Sequence, residues 1–391
     1  MFNNAILPEL RKRWSNIQSK MNEITADACL IGGNVNLFYV ADRVFSGFCY
    51  LGKEGDPLFF VKRPINLKGK NVVYIRKPED IPAILNERGI ALPKTLLLET
   101  DELSYNEIIR LQTALSAEKI LNGTSILRAV RTIKSNFEID LLRQSGKLHA
   151  DCYRKVPSLY TNGMSDLDLS IEIEKVFRQH GSLGYFRVFG NSMEIFMGSI
   201  LAGKNAEAAS PYDFAMGGAG IHRSLPVGCN GTILTDGMAV MVDMGGTFTG
   251  YISDMSRIFS VGKLSDLAYK AHQVSIEIHR EIEMMAKPGV STAELYQLAY
   301  EKAHKAGLED YFMGYKQQAG FVGHGVGIEI NESPILAPRS KEILTNGHVF
   351  ALEPKFVIPG TGAVGIENTY AVNANGIENL TILEEAIIQL K

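Results

Sequence analysis

Acidic residues interrupt apolar, strand-like stretches at several places in this sequence. The apolar run over 238–242 leads directly into Asp243, and a glycine-rich turn precedes a second apolar stretch that carries Asp254. The two aspartates lie on opposite arms of a predicted hairpin, where their side chains can meet across the ladder. A buried, ionised carboxylate is costly unless it is paired or bound to a metal. The chain must therefore fold so that a cation reaches these positions.

The same pattern recurs near the C-terminus. An extended stretch over 349–358 carries Glu353, residues 359–362 form a turn, and a returning stretch over 364–372 carries Glu367. Four carboxylates that converge would repel one another strongly, and two divalent cations would remove that repulsion. The pattern predicts two hairpins that each contribute a pair of carboxylates to one metal site.

Another interpretation of these acids stays open at this point. Each could be a solvated surface residue, or could be salt-bridged to a neighbour such as Arg257 or Lys355. Against this interpretation, both hairpins show a pair, and His324 lies between them in the glycine-rich segment 320–327. The glycines on both sides let backbone approach closely and leave space for a ligand beside the imidazole.

Length and composition limit the classes of protein. A chain of 391 residues predicts two domains, and 46% apolar with 21% charged residues is typical of a globular protein. A net charge of −3 argues against nucleic acid or an anionic membrane as partner. No apolar run reaches the roughly 18 residues of a bilayer span. The charged residues at 9–13 follow a short apolar patch instead of preceding it, which is not the pattern of a signal peptide. We therefore expect a cytoplasmic protein. The cysteines form no C-x-x-C pair and are expected to be buried free thiols: Cys29, Cys49, Cys152 and Cys229.

The texture of the chain changes around residues 122–125, where we place a domain boundary. Residues 1–125 alternate helical and extended signals and predict a small α/β domain, whereas 126–391 predict a larger α+β domain with helices on a mostly antiparallel sheet. Helices are predicted over 8–22, 78–87 and 105–117, and strands over 28–33, 37–41, 48–52, 58–61, 95–98, 238–244 and 251–261. Helix-start boxes are predicted at Ser135/Glu138, Ser165/Asp168 and Ser291/Glu294.

Five segments resemble the pita-bread metallopeptidases, the group of methionine aminopeptidase, aminopeptidase P, prolidase and the metal-free creatinase. The segments are Val-Met-Val-Asp243-Met-Gly-Gly, Ser-Asp254-Met-Ser-Arg-Ile-Phe, Gly-His324-Gly-Val-Gly-Ile-Glu, Leu-Glu353-Pro and Gly-Ile-Glu367-Asn-Thr. Residues 126–391 resemble the catalytic domain, and residues 1–125 resemble the creatinase and prolidase N-terminal domain. The resemblance implies a pita-bread α+β fold and a homodimer.

The same resemblance implies a role for each of the five residues. Asp243 would bind one metal through both oxygens, His324 would bind the other, and Asp254 and Glu367 would bridge the two. Glu353 would be a ligand and would also exchange protons with the attacking water, so Glu353 and His324 are the catalytic candidates. Carboxylates with an imidazole suit borderline divalent ions, with Mn²⁺ first and Co²⁺, Fe²⁺ or Zn²⁺ as alternatives.

The sequence departs from the proline-specific relatives in the region expected to contact substrate. Those relatives carry a histidine in a His-Glu-x-Pro segment, and here that position is Asn331. They also carry a Pro-His-Tyr motif, which is missing from 209–218, although His222 follows shortly afterwards. Asn331 and His222 are the candidates for substrate binding.

These observations predict a dinuclear-metal hydrolase of peptide bonds, most simply an Xaa-Pro dipeptidase or aminopeptidase that acts on short, proline-containing peptides. The altered substrate region leaves a second hypothesis open, a metal-dependent hydrolase or lyase of a small non-peptide amide or amino-acid-like metabolite. A third hypothesis is a non-catalytic binding module, which retention of all five ligand residues disfavours.

Overall fold

The computed structural model describes residues 5–190, 193–212 and 216–391. Contacts between residues divide the chain into two compact units, Met1–Arg131 and Thr132–Lys391. The predicted boundary after residue 125 falls within a helix that spans Thr124–Thr132. That boundary remains a proposal.

The N-terminal unit is built on a mixed sheet. The strands are β1 (Ala28–Ile31), β2 (Ser46–Gly52), β3 (Leu58–Arg63), β4 (Val72–Tyr74), β5 (Thr95–Leu98) and β6 (Lys119–Asn122), in the order β4-β3-β2-β1-β5-β6. β1 is antiparallel to β2 and parallel to β5. The helices are α1 (Leu7–Glu23), α2 (Asn34–Ala41), α3 (Ile81–Glu87), α4 (Tyr105–Leu115) and α5 (Thr124–Thr132).

Most of the local predictions for this unit are confirmed. α1 buries Leu10, Trp14, Ile17 and Met21, and this spacing places them on one face of a helix. The strand predicted over 37–41 is wrong, because these residues form the second half of α2. Most of α2 is buried, and hydrophobic periodicity cannot distinguish a short buried helix from a buried strand.

The C-terminal unit combines helices with several sheets. The helices are α6 (Asn136–Tyr153), α7 (Asp166–Gln179), α8 (Asp266–Met285) and α9 (Thr292–Lys305). The strands are β7 (Gly198–Ala202), β8 (Met238–Thr247), β9 (Ile252–Val261), β10 (Gly314–Tyr315), β11 (Gln317–Gln318), β12 (Gly323–Gly325), β13 (Glu332–Leu336), β14 (Val349–Leu352), β15 (Lys355–Ile358), β16 (Gly362–Gly365), β17 (Asn368–Asn373), β18 (Gly376–Asn379) and β19 (Ile388–Leu390).

Side-chain caps begin the helices of this unit. The boxes at Ser135 and Ser165 are confirmed, since each serine accepts from the N3 amide while the N3 acid accepts from the serine amide. The box at Ser291 is wrong in detail. Ser291 caps α9, but its hydroxyl accepts from the amide of Ala293 and not from that of Glu294.

β8 and β9 form the long hairpin that the sequence predicted. They lie in a sheet with the order β19-β9-β8-β7, and β19 runs parallel to β9. In the ladder Asp243 is opposite Ser256, and Asp254 is opposite Gly245. The aspartates are therefore diagonal neighbours on one face of the hairpin rather than a directly opposed pair.

The second predicted hairpin is split between two sheets. β14 pairs with β12 and β17 in a sheet of order β13-β12-β14-β17-β18, whereas β15 and β16 form a separate two-stranded sheet. The prediction of one strand over 349–358 is wrong because the chain changes sheets at Pro354, which has no N–H to donate to a ladder. Glu353 lies at this crossing, and Glu367 lies at the matching crossing between β16 and β17.

No helix in the described part of the chain is long and apolar enough to cross a membrane. The cysteines are free thiols; Cys29, Cys49 and Cys152 are buried as predicted, while Cys229 is partly exposed.

Candidate metal centre

The site lies where the β8–β9 hairpin meets β12 and the two crossings between sheets. β8 and β9 supply Asp243 and Asp254, β12 supplies His324, and the crossings supply Glu353 and Glu367. Glycines flank His324 because the backbone of neighbouring strands packs too closely against these two positions for a side chain to fit. A Cβ at Gly323 would lie 2.4 Å from the carbonyl oxygen of Ala351 on β14.

His324 directs its Nε2 atom at two carboxylates. Nε2 lies 3.4 Å from Oε1 of Glu353 and 3.7 Å from Oδ2 of Asp254. One ligand atom from each of Asp254, His324 and Glu367 lies within 4.8 Å of the others, which makes these three a candidate metal-binding group. The structure thus brings residues from three separate segments to one place.

Lys355 reaches into the same cluster from the first position of β15. Its Nζ atom lies 2.8 Å from Oδ2 of Asp243, 2.9 Å from Oε2 of Glu353 and 2.9 Å from Oε2 of Glu367. The side chain of Lys355 is 0% exposed. Both interpretations of the carboxylates therefore hold in part, because they surround a candidate metal position and are also salt-bridged to a lysine.

The electrostatics of the cluster follow from burial and crowding. Removal from water raises the pKa of Asp243 to about 6, with the charge of Glu367 adding to this effect and the Lys355 ammonium opposing it. Burial, together with the charges of Glu367, Asp243 and Glu353, raises the pKa of Asp254 well above its ordinary value. For Lys355, burial alone lowers the pKa, but the surrounding carboxylates together raise it well above the usual range. The crowded, buried carboxylates therefore favour the binding of a positive charge within the cluster.

Residues 140–374 match the model of metallopeptidase family M24, and residues 13–133 match that of the creatinase/prolidase N-terminal domain. The chain belongs to metallopeptidase family M24. The predicted α+β pita-bread fold with a creatinase-like N-terminal domain is confirmed. Membership also identifies the chain as a peptide hydrolase of a family that uses divalent metals.

Similarity to other M24 proteins extends over nearly the whole chain. The uncharacterized peptidase YqhT of Bacillus subtilis is 26% identical over 388 residues, which cover 96% of this chain and 99% of that protein. The Xaa-Pro dipeptidase of Pyrococcus furiosus is 24% identical over 387 residues, which cover 97% of this chain and 100% of that protein. A solved structure of an Xaa-Pro dipeptidase from Bacillus anthracis, 23% identical, superposes with a TM-score of 0.78 over 97% of this chain and 100% of that one. The structural likeness supports the same fold.

Neighbouring side chains form hydrogen bonds that fix Asp254 and Glu367 in place. Ser256 donates from Oγ to Oε2 of Glu367 at 2.5 Å. Thr369 accepts from the amide of Asp254 and donates to its carbonyl oxygen, both at 2.8 Å. The Arg257 guanidinium, fully buried, donates from Nη1 to the backbone carbonyl of Glu367 at 2.8 Å.

Sequence reasoning assigned no role to Ser256 or Thr369 and considered Arg257 and Lys355 only as salt-bridge partners. No sequence signal marked either residue. The register of the folded hairpin places Ser256 opposite Asp243, and the contact of Thr369 with Asp254 joins β17 to β9.

The two candidates for substrate binding lie in different surroundings. The Asn331 amide is bonded to one backbone unit, since Oδ1 accepts from the amide of Phe189 at 2.8 Å and Nδ2 donates to its carbonyl at 2.9 Å. His222 is exposed, and its Nδ1 lies 2.9 Å from Oγ of Ser224. The contacts described for His222 do not connect it with the cluster. Residues 213–215, in the stretch that lacks Pro-His-Tyr, lie outside the described residues.

The donor set fits a divalent ion on the His324 side of the cluster. An imidazole nitrogen with carboxylate oxygens is a suitable set for borderline divalent metals. The Asp243 side differs, because Oδ2 of Asp243 and Oε2 of Glu367 already face the ammonium of Lys355. The two sides of the cluster are thus chemically unequal.

Proposed function

We propose that this M24 protein hydrolyses short peptides at Xaa-Pro bonds, as a dipeptidase or an aminopeptidase. The observation that carries the proposal is the buried group of Asp254, His324 and Glu367, with Glu353 beside it. The likeness to proteins named Xaa-Pro dipeptidase covers 94–97% of the chain and supports the substrate class.

The chemistry follows from the donor set and its neighbours. A divalent ion held by Asp254, His324 and Glu367 would polarise the scissile carbonyl and make a bound water more acidic. Glu353 would take a proton from the attacking water and return it to the departing amine, as a general base and then a general acid. Lys355 and Ser256 orient the carboxylates through hydrogen bonds to Glu353 and Glu367.

A second candidate function is the hydrolysis or lysis of a small amide or amino-acid-like metabolite. It is favoured by one observation, the engagement of both ends of the Asn331 amide by Phe189. An asparagine that fixes backbone in this way cannot transfer a proton to or from a substrate as a histidine does. Substrate binding by Asn331 and His222 remains a proposal.

Three finer features are also proposals. Mn²⁺ is the first metal to supply, with Co²⁺, Fe²⁺ and Zn²⁺ as alternatives, because of the oxygen-rich donor set. A homodimer and a cytoplasmic location are expected from the family resemblance and from the composition.

A peptide panel tests the proposed substrate class. The metal-loaded protein is assayed with Xaa-Pro dipeptides, Xaa-Pro-Yaa tripeptides and matched Xaa-Ala peptides. We expect release of the N-terminal residue from the proline peptides alone. Cleavage of the dipeptides alone would indicate a dipeptidase, and cleavage of the longer peptides would indicate an aminopeptidase.

The control separates catalysis from stability. Glu353→Gln should lower kcat by roughly 10²–10⁴-fold, the usual contribution of a general acid–base group. Glu118→Gln changes a glutamate whose side chain is 70% exposed and should leave kcat unchanged. Absence of turnover across the panel by folded, metal-loaded protein would contradict the proposal, and turnover of a small amide instead would favour the second candidate.

A further inference from the structure

The ammonium group of Lys355 has the surroundings expected of a bound cation. Its nearest acidic oxygens come from Asp243, Glu353 and Glu367, at 2.8, 2.9 and 2.9 Å. A lysine ammonium carries three N–H donors and no acceptor. One carboxylate oxygen is available for each donor, so the hydrogen-bonding capacity of the group is fully used within the cluster.

The backbone of Lys355 is fixed, so the side chain enters from a rigid position. Lys355 pairs with Gly365 in the β15–β16 ladder, and its carbonyl accepts from the amide of Met313 at 2.8 Å. A Cβ at Gly365 would lie 3.0 Å from the Cα atom of Lys355, which shows how closely the two strands pack. The side chain of Lys355 is 0% exposed, so its ammonium faces the carboxylates of the cluster and not solvent.

The geometry distinguishes two cation positions in the cluster. The first is bounded by Asp254, His324 and Glu367 and lies on the His324 side. The second would need Asp243 together with Glu367, but the Oδ2 and Oε2 atoms of these residues already bind the ammonium. A divalent ion lies roughly 2.1 Å from a carboxylate oxygen. An ion on those same two atoms would crowd and repel the fixed ammonium.

Formal charge alone does not decide the number of ions. Four carboxylates and one ammonium leave −3, so one divalent ion gives −1 and two give +1. The position of the ammonium is the deciding observation, because Oδ2 of Asp243 and Oε2 of Glu367 already lie 2.8 and 2.9 Å from Nζ of Lys355.

We propose that this cluster binds one divalent ion, on the His324 side, and that the Lys355 ammonium takes the place of a second ion beside Asp243. The proposal rests on the proposed metal-dependent function, but it concerns the number of ions and not turnover. Lys355 is then a positioning residue that fixes Asp243, Glu353 and Glu367 with a charge that cannot exchange with solvent ions.

Metal stoichiometry tests the proposal directly. Protein stripped with a chelator is titrated with Mn²⁺, and bound metal is measured by calorimetry and by elemental analysis after dialysis. We expect one ion per chain in the unsubstituted protein and two in Lys355→Met, which keeps the length of the side chain but removes the charge. Electron paramagnetic resonance should show isolated Mn²⁺ in the first case and an exchange-coupled pair in the second.

Two further variants keep the test decisive if Lys355→Met does not fold. Asp243→Asn should still bind one ion, whereas His324→Ala should lose it, because only His324 belongs to the occupied position. Two ions in the unsubstituted protein, no ion at all, or loss of the ion in Asp243→Asn would each overturn the proposal. So would a folded Lys355→Met that binds only one ion.

Failure of this proposal is distinguishable from failure of the proposed function. A protein that binds one ion but cleaves no peptide would support the ion count and contradict the peptidase activity. A protein that cleaves Xaa-Pro peptides with two ions bound would do the reverse.

Discussion

Lys134 and Glu332 form a buried ion pair whose disruption should destabilise the C-terminal unit strongly. Nζ of Lys134 lies 2.9 Å from Oε2 of Glu332, and the side chains are only 1% and 4% exposed. Oε1 of Glu332 accepts from the amide of Glu329 at 3.2 Å. Glu332 is opposite Gly325 in the β12–β13 ladder, and Gly325 directly follows His324, so the pair supports the strand that carries the candidate metal ligand His324.

The size of the effect follows from the burial of both partners. Lys134→Met would remove the ammonium that binds Oε2 of Glu332 in the protein interior, and breaking a buried ion pair by removing one partner costs about 3–5 kcal/mol. In a unit of this size each 1 kcal/mol lowers Tm by about 2–4 °C, so the expected decrease is roughly 6–20 °C. The double variant Lys134→Met with Glu332→Leu removes both charges and should recover most of the loss.

Differential scanning calorimetry of the full chain, supported by urea unfolding, measures these changes. Lys263→Met is the matched control, because the Lys263–Asp266 pair is 80% and 95% exposed and its loss should shift Tm by less than about 2 °C. The reasoning is refuted if Lys134→Met behaves like Lys263→Met. It is also refuted if the double variant is less stable than Lys134→Met alone.

Two other predictions concern buried polar groups near the site. Ser199 and Ser256 both lie opposite Asp243. The buried Ser199 Oγ has no hydrogen-bond partner among the described residues, whereas Ser256 Oγ binds Glu367. Ser199→Ala should therefore raise the free energy of unfolding by about 1 kcal/mol, because it removes an unsatisfied polar group. Ser256→Ala should lower the free energy of unfolding by about 1–3 kcal/mol, and urea unfolding measures both changes. Burial lowers the pKa of His279 from 6.5 to about 3, so below pH about 6.5 the unfolded chain binds a proton that the folded chain does not. Stability should consequently fall between pH 7 and 5, by roughly 2 kcal/mol for this group, and His279→Gln should show a weaker dependence in urea midpoints at the two pH values.

The sequence was sufficient to identify the elements whose pattern is local. The spacing of apolar residues in α1 and the serine caps of α6 and α7 depend on neighbours within a few residues, and both were predicted correctly. The run over 37–41 shows the limit of such reasoning. Its burial in α2 depends on packing against α1 and β2, which a window of five residues does not contain.

The gathering of Asp243, Asp254, His324, Glu353 and Glu367 could be predicted because ionised carboxylates inside apolar strands are costly and because the motifs around all five residues resemble those of the pita-bread metallopeptidases. Their exact arrangement could not. The diagonal register of the two aspartates depends on how the β8–β9 ladder is set, and Glu353 and Glu367 occupy crossings between sheets. A pattern of period two shows which face a residue occupies but not which sheet receives the strand.

Lys355 was named from the sequence as a possible salt-bridge partner of these carboxylates, but its position inside the cluster could not be predicted for the same reason. Buried carboxylates require positive charge nearby. The sequence alone does not distinguish a divalent ion from a lysine of the chain as the source of that charge. Only the distances in the structure distinguish a metal ion from a lysine. Nζ of Lys355 lies among Asp243, Glu353 and Glu367. On the other side of the cluster, His324 faces Asp254 and Glu353. A set of ligand residues therefore predicts that a site must receive positive charge, and the number of metal ions depends on which carboxylate oxygens a cation of the protein already occupies.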